Sequence, residues 1–215
     1  MTDFTWVGTV VVLVPSTVAL FRYEHFDGPI LPRLAFLVWW NALVEVLVTA
    51  AYYSGYGNNM PLYHIYMAVE FALLSWVFWA MLPEVINRTR WLIGVGVFWA
   101  MILSKAFKPD LFLEFPSLLR SFESLILIGL SIVYFWKVLQ KAEEPLLLRS
   151  PGFWVGAAVL TYYGSTTLVY AYTDYIMEKS DELFTAVWSV LAILNVVFYS
   201  MLICAFLCQK PKVKS

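Results

Sequence analysis

The chain has 215 residues, 61% of them hydrophobic and only 13% charged, with 14 Lys and Arg set against 15 Asp and Glu. That composition excludes a soluble domain, and the net charge of −1 leaves no basic surface large enough for nucleic acid. Apolar runs instead reach, again and again, the ~20 residues a helix needs to cross ~30 Å of hydrocarbon.

Seven spans are expected, at about 4–22, 33–53, 61–82, 91–107, 117–137, 151–173 and 183–207. They define an all-α polytopic bundle over residues 1–208, followed by a short basic tail at 209–215. The first run follows Asp3 rather than a basic segment and continues without a small-residue cleavage site, so it reads as a retained helix. Turn residues mark the connections: Asp27-Gly28-Pro29, Gly55 to Asn59, Pro83-Glu84 and Lys108-Pro109-Asp110. None of these connections has room for an extramembrane domain.

Orientation follows from the basic residues. Arg22, Arg33, Arg88, Arg90, Lys137, Lys141, Arg149, Lys210, Lys212 and Lys214 flank one set of connections and the tail, whereas the other set holds only Lys105, Lys108, Arg120 and Lys179. The positive-inside rule then puts the N-terminus outside and the C-terminus in the cytoplasm of a multi-pass cell-membrane protein. Cys204 and Cys208, at i and i+4 near the cytoplasmic end of span seven, are poorly spaced for a disulfide in a reducing compartment. Acylation or a plain apolar role are the alternatives for them.

Polar residues inside the spans carry the functional reading. Span two places Asn41, Glu45 and Tyr52 on one stripe, and span three does the same with Tyr63, Tyr66 and Glu70. Glu70 is nine residues into its helix, ~13 Å below the outer boundary at 1.5 Å per residue, and Glu45 falls at nearly the same level. Glu123, six residues into span five, is expected higher, as the paired rim of a pocket, with Arg120 one turn above it. Span six carries Tyr162, Thr166, Tyr170 and Asp174 at successive i+4 steps, and span seven offers Trp188, Asn195 and Tyr199. Tyrosines and threonines on such stripes also serve simply to hold membrane helices together. Carboxylates in hydrocarbon are costly unless paired, protonated or facing water, so Glu45 and Glu70 are the leading functional candidates.

Two arrangements are open for Arg120. It pairs with Glu123 at the outer interface, or it turns inward as counter-ion to Glu45 or Glu70 or as a fork for an anionic ligand. His64 stands beside the Tyr63 stripe, where it is either a hydrogen-bonded packing residue or a pH sensor. The resulting candidate ligand set is Asn41, Glu45, Tyr63, His64, Tyr66, Glu70, Arg120, Glu123, Tyr162, Tyr170 and Asn195.

Several chemistries lack the residues they need. A zinc hydrolase calls for about three converging His or carboxylate ligands, and His25 and His64 fall on opposite sides, so no metal is expected. A retinal protein needs a lysine in its last helix, and residues 183–207 contain none. Phosphate-cradling glycine loops and nucleophile elbows are absent. The Asn87-Arg88-Thr89 sequon is expected on the cytoplasmic side and therefore without glycan. One enzymatic reading is retained: Glu45 and Glu70 protonating an isoprenoid whose carbocation is sheltered by aromatic rings.

The segment Pro29 to Arg33 entering span two is similar to Pro145 to Arg149 entering span six, a match that a 3+1+3 parallel repeat would fit. Small transporters of the PQ-loop and SWEET type use that architecture, although their proline-glutamine signature is missing here. The run Asn58-Asn59-Met60-Pro61-Leu62-Tyr63-His64-Ile65-Tyr66 with Glu70, together with Pro151-Gly152-Phe153-Trp154 and Tyr162, resembles a family of uncharacterised bacterial seven-transmembrane inner-membrane proteins. The resemblance runs nearly end to end and implies a common fold and a link to sensor-kinase signalling; it carries over no catalytic residue. The expectation is a sensory or ligand-binding membrane protein with an outward-opening polar and aromatic pocket, acting on a small-molecule or lipid ligand and a signalling partner. A small-solute or proton-coupled transporter and the isoprenoid-acting enzyme are the alternatives.

Overall fold

The computed structural model describes residues 3–55, 59–107, 115–140, 147–172 and 181–208. The expected tail at 209–215, Pro145, Asp174 and the turn at 108–110 lie outside those residues. Seven helices account for most of the rest: α1 (Asp3–Arg22), α2 (Ile30–Tyr53), α3 (Met60–Met81), α4 (Arg88–Ala106), α5 (Ser117–Gln140), α6 (Pro151–Ala171) and α7 (Asp181–Leu207). Short 3-10 turns at Tyr23–His25 and Leu147–Arg149 lie between helices, and no strand occurs among the described residues.

The helix ends have local causes. Pro29 sits at the cap of α2, which therefore begins at Ile30 rather than at the expected 33; Pro32 falls in the first turn, where its missing N–H leaves no bond unmade. Asn87 caps α4 by accepting the Arg90 amide at 2.8 Å, so the sequon asparagine has its side chain committed to the helix. Past the end of α2, Gly55 adopts φ 75°, the left-handed conformation that closes the helix by returning its amide to the Tyr52 carbonyl at 3.2 Å.

Helices α2, α3, α5 and the Thr185–Leu207 part of α7 are each long and apolar enough to cross a membrane. Their 22 to 24 residues reach about 33–36 Å at 1.5 Å per residue. Helix α6 owes its lower hydropathy to Tyr162, Tyr163, Thr166 and Tyr170, all of which are buried.

Helix α5 is inverted relative to a helix of a water-soluble protein. Its buried face carries Ser117, Arg120, Ser121, Glu123, Ser124 and Ser131, while Leu118, Leu125, Ile132 and Trp136 are each more than half exposed. Phe21, Ile93, Leu168 and Ile193 continue that apolar outer surface on other helices. Water would penalise such a surface and hydrocarbon does not, so the distribution marks a membrane protein.

Side-chain bonds fix how the helices run. Thr9 donates to Glu45 at 3.0 Å and Ser16 to the Val38 carbonyl at 2.9 Å, so α1 and α2 are antiparallel. Trp91 donates to Ser75 and Trp99 to the Ala68 carbonyl, at 3.0 and 3.1 Å, making α3 and α4 antiparallel as well. Arg120 pairs with Glu70 and Lys137 with Glu84, so α3 and α5 run the same way. Helices α1, α2, α3, α5, α6 and α7 close a ring in that order, with α1 against α7, and α4 packs outside it on α3. Near Arg33, whose guanidinium lies 5.0 Å from the rings of both Trp76 and Trp79, the base of the ring is tied by a bond to the Trp76 carbonyl at 2.7 Å.

Helices α5 and α6 approach most closely at two glycines. A Cβ on Gly152 would stand 3.1 Å from Tyr134 Cζ, and one on Gly156 would stand 3.0 Å from Tyr134 Cδ1 and 3.3 Å from Phe135 Cε2. This is small-xxx-small packing, in which absent side chains let the neighbouring helix settle. Gly156→Val is expected to cost about 1–3 kcal/mol through overpacking, read as a lower melting temperature in detergent. Gly164→Ala, whose Cβ meets nothing within 4 Å, is expected to leave that temperature unchanged.

Candidate functional site

Three charged side chains meet in the interior. Arg120 lies in the first turn of α5, where its amide bonds the Pro116 carbonyl, and the helix sets Glu123 one turn further on the same face. Its Nη1 donates to Glu123 Oε2 at 2.8 Å and, across the ring, to Glu70 Oε2 on α3. Exposure is 2% at Arg120, 3% at Glu70 and nil at Glu123, so this is a fully buried ion triad. Tyr66, one turn before Glu70, completes it by donating to Glu70 Oε1 at 2.6 Å. The guanidinium carbon also lies 5.3, 5.4 and 6.0 Å from the rings of Tyr170, Tyr163 and Tyr66, whose electron-rich faces hold a cation where water is excluded.

Beside the triad is a chamber of about 390 Å³. Its wall draws Gly8 and Val12 from α1, Asn41 and Glu45 from α2, Tyr63 and Tyr66 from α3, Arg120 from α5, Tyr162 and Tyr170 from α6, and Trp188, Asn195 and Tyr199 from α7. Every helix of the ring contributes. Most of these residues come from the first halves of the odd-numbered helices and the second halves of α2 and α6, with Asn41 and Asn195 near the middle of their helices and Tyr199 past the middle of α7, so the chamber occupies the half of the bundle where α1 begins. A volume of this size is within the ~300–1,000 Å³ of ordinary small-molecule sites.

Within the wall, Glu45 Oε1 accepts the Thr9 hydroxyl at 3.0 Å, Asn41 Nδ2 donates to Tyr199 Oη at 3.1 Å, and the Tyr162 and Tyr170 hydroxyls are 3.0 Å apart. Asn195 donates to the Leu191 carbonyl of its own helix at 3.1 Å.

Of the residues singled out from the sequence, Asn41, Glu45, Tyr63, Tyr66, Arg120, Tyr162, Tyr170 and Asn195 line the chamber. Glu70 and Glu123 stand behind Arg120 instead, and His64 is fully buried on α3 without reaching the wall. Of the two arrangements open to Arg120, the inward one is found, with Glu70 as the partner. It also retains Glu123, which is not at the rim: the arginine draws that carboxylate into the interior. Glu45 and Glu70 have separate partners and do not bond each other.

Thr9 and Tyr163 were not among the sequence candidates. Thr9 shares a helical face with Ser16, seven residues on, and that polar spacing in an apolar run was a readable signal. Tyr163 adjoins Tyr162 but points to the guanidinium from a different side of α6, which spacing along one stripe does not reveal. Among the described residues no group of three or more His, Cys, Asp or Glu is placed to hold a metal ion. No family model matches the chain, and no curated protein or solved structure matches it.

Removing one partner from a buried ion group is far more damaging than removing all of them, because the remaining charges are stranded. Arg120→Gln is expected to lower stability by about 3–5 kcal/mol. The triple variant Arg120→Gln, Glu70→Gln, Glu123→Gln should recover most of that loss in detergent unfolding. An equal loss in both would mean that packing, not charge, makes Arg120 necessary.

Proposed function

We propose that the chain is a seven-span ligand-binding receptor of the bacterial inner membrane, with its N-terminus outside. The chamber admits a small molecule from the outer face, and occupancy is passed to a partner. The single observation that carries this reading is a small-molecule-sized chamber bordered by all six ring helices, with a carboxylate, a carboxamide and a buried guanidinium in an aromatic wall. Alternating helix directions support seven crossings. Arg22, Arg33, Arg88, Arg90 and Lys137 belong to the bundle end opposite the chamber, which supports the outside placement of the chamber. The connections at that basic end, 23–29 and 82–87, are too short for an output domain of their own.

Helix order favours a second reading, a small-solute transporter of the 3+1+3 type. Exchanging the triplet α1, α2, α3 with α5, α6, α7 converts the α1–α7 contact into the α3–α5 contact, leaves α2 facing α6, and makes α4 the linker.

Labelling separates the two. In a background with Cys204→Ala and Cys208→Ala, an Ala192→Cys side chain in the chamber wall is expected to react with a membrane-impermeant maleimide from the outside only. Reaction from both sides would favour the transporter. No reaction from either side would sink the accessible chamber altogether.

A further inference from the structure

The charges around the chamber are out of balance. Among the described residues of its wall and of the triad behind it, Arg120 is the one permanent cation, against the three carboxylates of Glu45, Glu70 and Glu123. Arg120 already spends one nitrogen, Nη1, on two of them. With all four groups ionised, two negative charges are left over, and a carboxylate inside a membrane bundle is costly unless it is paired, protonated or facing water.

The unused hydrogen-bonding capacity of α2 has the same sign. Asn41 is 3% exposed; its Nδ2 is bonded to Tyr199, while its Oδ1 is buried without a partner. One turn along, on the same wall, Glu45 uses Oε1 to accept Thr9, and among the described residues no hydrogen bond reaches its Oε2. Both open atoms accept and neither donates. A guest meeting them must bring N–H or O–H groups, and the charge balance asks for a cation. The wall that carries these two acceptors also includes Val44, Val48, Tyr162, Trp188 and Tyr199, an apolar and aromatic lining of the kind that holds the body of an ammonium ion. Among the described wall residues the one cation an anion could address is Arg120, and it would set a third negative group on a guanidinium that already has two.

We infer that the chamber binds a small organic ammonium ion, its N–H groups taken by Glu45 and Asn41 and its apolar body set among Tyr162, Trp188 and Tyr199. This deepens the receptor reading and rests on it, since it requires the chamber to be a ligand site.

The test compares three molecules with the same phenyl body on the purified full chain: 2-phenylethylamine, 2-phenylethanol and phenylacetate. The amine is expected to raise the melting temperature saturably and to protect the Ala192→Cys side chain from maleimide. The alcohol and the acid should do so about tenfold more weakly or not at all. Glu45→Gln should weaken the amine's apparent affinity by about tenfold or more, the loss expected for a charged hydrogen bond. If that variant does not fold, protection of Ala192→Cys by the amine alone among the three decides the matter. Stabilisation by phenylacetate equal to or stronger than by the amine overturns the inference and leaves the chamber as a site for anions. Failure of the amine to bind while Ala192→Cys is labelled from outside overturns it too, with the chamber still open. Failure of both binding and labelling removes the receptor reading along with it.

Discussion

The bundle depends on one guanidinium. Arg120 is buried on the inner face of α5, and in hydrocarbon an isolated arginine is among the most expensive side chains to place. It is tolerated because Glu123 reaches it from its own helix, Glu70 from α3, and three tyrosine rings surround it. The triad therefore acts as a register pin between α3 and α5: sliding either helix by a turn would strand an ion. Coulombic attraction is strong there because the three groups are buried, and for the same reason the arrangement tolerates no missing member.

That pin explains why a chamber exists beside it. Apolar membrane helices pack by shape alone and leave little space between them, whereas the triad and its tyrosines hold α3, α5 and α6 around bulky polar groups. Asn41 with Tyr199, and Thr9 with Glu45, then fasten α2 to α7 and α1 to α2 on the remaining sides. At the other end of α5 and α6, Gly152 and Gly156 bring the helices together on Tyr134 and Phe135, so the ring is tight where the chamber is not.

Most of the helices were legible because an apolar run of the right length between Pro, Gly and Asn leaves the backbone few options in a membrane. Their stripes were legible too, since Asn41 with Glu45 and Tyr66 with Glu70 share faces by spacing alone. Partners were not. Spacing places Arg120 near Glu123, but the bond to Glu70, fifty residues away, depends on how α5 lies against α3. Depth counted from a helix end likewise put Glu123 at a rim, because such counting ignores which way a neighbouring arginine pulls it. The Gly152-x-x-x-Gly156 spacing was on the page as a close-packing signal; the tyrosine it accommodates came from another helix.

Below the chamber the ring is solid. Leu34, Leu37 and Val38 on α2, Leu74, Val77 and Phe78 on α3, Val155, Ala158 and Val159 on α6, and Leu202, Ala205 and Phe206 on α7 have no exposed surface. The pocket at the opposite end, bordered by His25, Asp27, Ser150 and Cys208, shares no lining residue with the chamber. A solute entering by the chamber thus meets a close-packed apolar layer about as dense as an organic crystal, which yields only by switching to another packing. A carrier would have to break and remake that layer in every cycle. The proposed receptor needs less: a guest that binds one arrangement of α2, α3 and α5 more tightly than another shifts their balance, and the solid layer carries the difference to the far end without opening.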